Sequence, residues 1–219
     1  MHPVKNAQVG ENRLQIWDEK EQQPDMYGGE MDSQSLFTFI LEMAGTIAFA
    51  ASGAMVGAQR GMDIFGICVL GVVTAVGGGA TRDIILGIVP PGMFQNPIYT
   101  IVATVTSCIV FAIMYWKQEL LEGENRLVYD KIMLVMDSVG LGVFTVMGVD
   151  KGITEGYMGR TFFLVFLGTV TGVGGGLIRD MMAGVPPYIF VRHIYACASI
   201  VGAIACVWVY RLWGGVPAM

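Results

Sequence analysis

Two stretches of this 219-residue chain place side chains capable of chemistry in the same order. Residues 76–91 read VGGGATRDIILGIVPP and residues 173–187 read VGGGLIRDMMAGVPP. Gly77, Gly78, Gly79, Arg82, Asp83 and Gly87 recur 97 positions later as Gly174, Gly175, Gly176, Arg179, Asp180 and Gly184, and Gly71 and Thr74 match Gly168 and Thr171. The chain is an internal duplication. Three consecutive glycines in an apolar helix invite a kink, because Gly lacks Cβ and has low helix propensity. Carbonyls released there survive only inside protein or facing water, and they make good oxygen ligands for a dehydrated alkali cation. Close helix packing is the bland alternative, since Gly53, Gly57 and Gly61, and Gly168, Gly172 and Gly176, also form small-xxx-small faces. The mirrored copies favour a functional break.

The Arg82–Asp83 and Arg179–Asp180 pairs follow the triplets. Ionisable groups at membrane depth cost at least about 2.5–3.5 kcal/mol each and persist where they pair or face water. Neighbours in a helix do not face one another, so each Arg is expected to reach the other repeat's Asp or freed carbonyls. A structural staple and an ion-facing role remain equally open. Glu42 and Asp137 are the other acids in apolar runs. Matching Gly57 with Gly148 sets an offset of 91, which maps Glu42 to position 133, one helical turn from Asp137. Carboxylates facing a wet path would favour cations; a hydrogen-bonded core acid is the competing reading.

These residues sit in a chain that is 54% hydrophobic and only 14% charged, with a mean hydropathy of +0.59. Residues 1–34 hold ten of the charges, three basic and seven acidic, and form a polar acidic tail without the apolar region of a signal peptide. Beyond it six segments, near 35–58, 63–87, 95–116, 131–149, 161–184 and 188–213, are each long enough to cross a bilayer, which takes about 20 residues. Helices satisfy their own backbone in lipid. The fold expected is therefore an all-α integral membrane protein of about six transmembrane helices. Residues 35–116 form a first three-helix repeat, 117–130 a polar inter-repeat loop, 131–213 a second repeat, and 214–219 the C-terminal end. Three spans per repeat is an odd number, so the second copy enters the membrane inverted, the plan of many transporters and some channels. The second and fifth helices carry the expected kinks. Excess Lys and Arg on the side of the 117–130 loop leans toward an external N-terminus.

Other signals are weaker. No basic patch offers itself to nucleic acid. Cys68, Cys108, Cys197 and Cys206 lie in apolar runs without close-spaced Cys or His partners, and read as small buried apolar side chains instead of disulfides or metal ligands. His193 reads as structural or interfacial. GVGGG at 172–176 is followed by no Lys-Ser/Thr, so it is not a nucleotide loop. Tyr and Trp cluster near span ends as interfacial anchors do. No nucleophile–base constellation points to an enzyme, and no cofactor is called for.

The text from about Ser35 to Trp213 resembles the bacterial branch of the trimeric intracellular cation (TRIC) channel family. The matching residues are GAMVGAQRGMDIFG at 53–66, TAVGGGATRDIILG at 74–87 and TGVGGGLIRDMMAGVPP at 171–187. Related sequences are also labelled glycine transporters. The resemblance implies a homotrimer of inverted-repeat protomers in the cell inner membrane, each with its own pore for monovalent cations, K⁺ above all and also Na⁺. Pore-adjacent kinks would fall at Gly77–Gly79 and Gly174–Gly176. The family pattern includes a seventh helix, for which this chain, ending at Met219, has no room, and the polar 34-residue N-terminal stretch is also atypical. A secondary transporter of a small amino acid such as glycine is the competing expectation, because inverted repeats with broken helices serve transporters too.

Overall fold

The structure, a computed structural model, describes residues 33–116, 125–187, 190 and 193–213. The tail before residue 33, residues 117–124 of the inter-repeat loop, residues 214–219 and the His193 side chain lie outside the described residues. Two compact units are distinguished, Met1–Phe37 and Thr38–Met219. Of the first, the described residues form the opening turn of a helix; everything that follows concerns the second.

Among the described residues six long helices appear in the expected order. They are α1 (Ser33–Gln59), α2 (Ile64–Leu86), α3 (Ile98–Trp116), α4 (Asn125–Gly152), α5 (Thr161–Met182) and α6 (His193–Trp213). A single helical turn, Gly92–Gln95, precedes α3, and a π-helical turn, Ile153–Tyr157, follows α4. Five helices are long and apolar enough to span a bilayer; the apolar part of the sixth, Ala196–Leu212, is shorter. α4 begins at Asn125, six residues before the segment expected from the sequence.

Apolar composition makes these helices, and short polar devices end them. Asp63 caps α2 by accepting from the Gly66 N–H at 2.7 Å. Both α2 and α5 stop at a glycine in the left-handed region, Gly87 at φ 74° and Gly184 at φ 64°. In each case the next amide turns back onto the repeated aspartate's carbonyl, Ile88 N to Asp83 O at 2.8 Å and Val185 N to Asp180 O at 3.0 Å. Several hydroxyls inside the spans are satisfied within their own helix. Thr74, Ser107, Thr169 and Thr171 each donate to the carbonyl four residues earlier, as a polar group in a lipid-surrounded helix must.

α2 and α5 form the centre. α2 packs against α5 and α3, and α5 packs against α2, α4 and α6. α3 is the most exposed of the five spanning helices, with 17% of its span buried against 56% for α1. Its exposed Ile101, Val105 and Ile109 recur every fourth residue and form a stripe suited to lipid.

Candidate functional site

Glycine decides how closely the two central helices approach. A Cβ added at Gly78 would lie under 3.0 Å from the Thr171 carbonyl oxygen, and one at Gly175 would lie equally close to the Thr74 carbonyl oxygen. These are the same contact seen from the two repeats, because 74 and 78 map onto 171 and 175. A Cβ at Gly174 would come within 3.2 Å of Gly78 Cα, and one at Gly77 within 3.0 Å of the Ile178 side chain. Gly79 meets only the Arg82 guanidinium, at 3.9 Å. Both triplets lie inside uninterrupted α-helix. The expected release of carbonyls at a helix break is therefore corrected. The glycines keep their helical ladder and are spent on bringing two backbones together, which a side chain at 78 or 175 would prevent.

The flanking helices obey the same symmetry, with a different register from the one the sequence suggested. Gly53 faces Leu70, Gly71 and Thr74, whereas Gly148 faces Gly168 and Thr171. Gly57 faces Ile67 and Leu70, whereas Gly152 faces Leu164 and Leu167. Gly53 thus corresponds to Gly148, and Gly57 to Gly152, an offset of 95 instead of 91. The Phe49 and Phe144 rings, also 95 apart, stack on one another with centroids 5.2 Å apart. With that register Glu42 and Asp137 occupy strictly equivalent positions.

By these offsets each repeat carries one guanidinium and two carboxyl groups at equivalent positions, Arg82, Asp83 and Glu42 in the first and Arg179, Asp180 and Asp137 in the second, and in the second all three are in contact. In both repeats the arginine Nε donates to its neighbouring aspartate, Arg82 to Asp83 at 2.9 Å and Arg179 to Asp180 at 2.8 Å. The expectation that sequence neighbours would not face one another is corrected, since in each repeat the arginine Nε reaches the carboxylate of the next residue. Beyond this the two repeats differ. Arg179, 1% exposed, also donates to Asp137 Oδ1 and to Ser52 Oγ, the latter at 2.6 Å. Ser52 in turn donates to Asp137 Oδ1 at 3.1 Å. Three helices, α1, α4 and α5, are tied at one buried point. Asp137 is thus a paired, hydrogen-bonded acid and not a carboxylate facing open water. In the first repeat the Arg82 side chain is 14% exposed, and Asp83 accepts a second bond from Gly92 N at 2.8 Å. Glu42 accepts from the Tyr99 hydroxyl of α3.

Sequence reasoning missed Ser52 and Tyr99. A hydroxyl in an apolar helix carries no spacing signal, and Tyr99 read only as an interfacial anchor. The residue equivalent to Ser52 is Met147, so the register, once known, marks Ser52 as the polar odd one out. Among the described residues no group of His, Cys, Asp and Glu could hold a metal ion.

The family model described as "Glycine transporter" matches residues 39–115 and again 134–211, once per repeat. The chain belongs to this glycine transporter family. The UPF0126 inner membrane protein YadS of Escherichia coli strain K12 is 39% identical to it over 170 residues, covering 77% of each chain. The family member is also similar to solved structures. The TRIC trimeric intracellular cation channel orthologue from Rhodobacter sphaeroides superposes with a TM-score of 0.72 at 30% identity, covering 81% of this chain and 86% of that one. A second structure, bearing on conductance through TRIC cation channels, gives 0.68 at 31% identity over 82% of both chains. The resemblance carried by the two glycine–arginine–aspartate motifs is borne out, and so is the multi-pass, all-helical membrane fold.

Proposed function

We propose that each protomer conducts monovalent cations, K⁺ above all and Na⁺ also, along a path between the inverted repeats. The observation that carries this reading is the charge inventory of the two repeats. Arg179 meets two carboxylates, Asp137 and Asp180, and the first repeat carries the equivalent Glu42 and Asp83 for Arg82, so carboxyl groups outnumber guanidinium groups two to one, which favours cations over anions in a low-dielectric setting. Glu42, Arg82 and Asp83 form the more exposed set; Asp137, Arg179 and Asp180 with Ser52 form the closed one. Gly77–Gly79 and Gly174–Gly176 set the narrow point between them. Likeness to channels described as trimeric supports a homotrimer, and likeness to an inner membrane protein supports that location. Purified protein in planar bilayers should give discrete current steps that reverse on the cation side. Steps that reverse on the anion side would reject the proposal.

The second reading, transport of glycine, is favoured by the family's description and by the partly exposed Arg82 guanidinium, which could hold a substrate carboxylate. Gradient-dependent glycine uptake into proteoliposomes, lost in Arg82→Gln and unaccompanied by current, would select it.

A further inference from the structure

Cys68 on α2 and Cys108 on α3 are forty residues apart in sequence, yet their Sγ atoms lie 3.5 Å apart, one thiol donating to the other. Both are free and partly buried. The duplication supplies an internal control. Position 68 maps to Val165 by the α2–α5 offset of 97. Position 108 maps to Ile204, because Ser107 and Ala203 pack on the equivalent glycines Gly71 and Gly168. The second repeat carries aliphatic side chains, Val165 and Ile204, at the two equivalent positions. Packing alone does not call for sulfur there; two thiols in contact add chemistry that Val and Ile lack.

We propose that Cys68 and Cys108 are a redox-active dithiol that closes to an intramolecular disulfide, locking α2 to α3. Closure brings the sulfurs from 3.5 Å to about 2.05 Å. The donor is a disulfide. One cysteine, as thiolate, attacks a donor sulfur and expels the first donor thiol, leaving a mixed disulfide. The second cysteine then attacks the protein sulfur of that bond and expels the second donor thiol. Two electrons and two protons pass from the protein to the donor, and a reducing thiol reverses the exchange. Cys68 lies about 6 Å along the axis from the start of α2. The bond would fasten α2 nine residues before Gly77, the start of the segment that packs against α5.

The test uses full-length protein in lipid nanodiscs and diamide, an azo oxidant that takes up the same two electrons and two protons. Of the four thiols per chain, two should disappear without a covalent dimer on a non-reducing gel. Peptides containing Cys68 and Cys108 should be joined in non-reducing mass spectrometry and released by a phosphine. Cys68→Val, which copies the second repeat, should preserve the fold and abolish the loss of both thiols. Persistence of all four thiols, or cross-links that join Cys197, Cys206 or different chains instead, would overturn the proposal. Peptide mapping of the unsubstituted protein decides the matter even if the variant fails to fold.

Discussion

Replacing Gly78 with alanine should destabilise the folded protein, whereas the same change one residue later should not. A Cβ at 78 meets the Thr171 carbonyl oxygen at under 3.0 Å, an atom held in the α5 backbone that cannot rotate away. Overpacking of this kind costs about 1–3 kcal/mol, and a rigid backbone obstacle places it at about 3. Relief of the helix-interior glycine returns about 0.5–1 kcal/mol, leaving a net loss of about 2. At Gly79 the added methyl meets only the flexible Arg82 guanidinium at 3.9 Å, so the gain of about 0.5–1 kcal/mol stands alone. The two neighbours should therefore differ by about 3 kcal/mol. At about 2–4 °C per kcal/mol for a chain of this size, that separates their Tm values by about 6–12 °C. Thermal unfolding of the detergent-solubilised protein measures it. Gly175→Ala should match Gly78→Ala, and the double variant should cost less than the sum, because separating the helices once relieves both collisions. Equal Tm values for the 78 and 79 variants would refute the view that the triplet serves helix approach.

The buried charges carry further expectations. Asp137→Ala leaves Arg179, 1% exposed, short of one carboxylate and should cost about 3–5 kcal/mol, visible in the same unfolding assay. Ser52→Ala removes a hydroxyl that accepts from Arg179 and donates to Asp137, for a loss of about 1–3 kcal/mol; added to Asp137→Ala it should cost measurably less, as a double-mutant cycle would register. Tyr99→Phe removes the hydroxyl that holds Glu42 and should cost about 1.5 kcal/mol. Under the channel reading, Glu42→Gln should lower K⁺-over-Cl⁻ selectivity more than it lowers stability, read from reversal potentials and Tm together.

Much of this was legible in the sequence because the duplication repeats it. Gly77 to Gly87 and Gly174 to Gly184 align without insertions, so a single offset of 97 relates them and singles out the two Arg-Asp pairs. The first helices escaped that register. The connector after α4, with its π-helical turn, is longer than Arg60–Asp63 after α1, and the glycines of both helices recur every four residues. A one-turn error therefore still matched glycine to glycine, and only contacts with Gly71 and Gly168 fix the offset at 95. The triplets misled for a related reason. Glycine both weakens a helix and permits close approach, and which property is used depends on the partner backbone across the crossing. Cys68 and Cys108 stayed hidden because their proximity is made by α2 packing on α3, not by spacing in the chain.

The central claim, that the matched carboxyl excess of the two repeats makes a cation path, is tested most directly by the reversal potential of purified protein in a planar bilayer under a KCl gradient. Discrete steps should reverse close to the potassium equilibrium potential and shift toward zero in the Glu42→Gln variant. Reversal near the chloride potential, or well-folded protein that carries glycine without current, would contradict it.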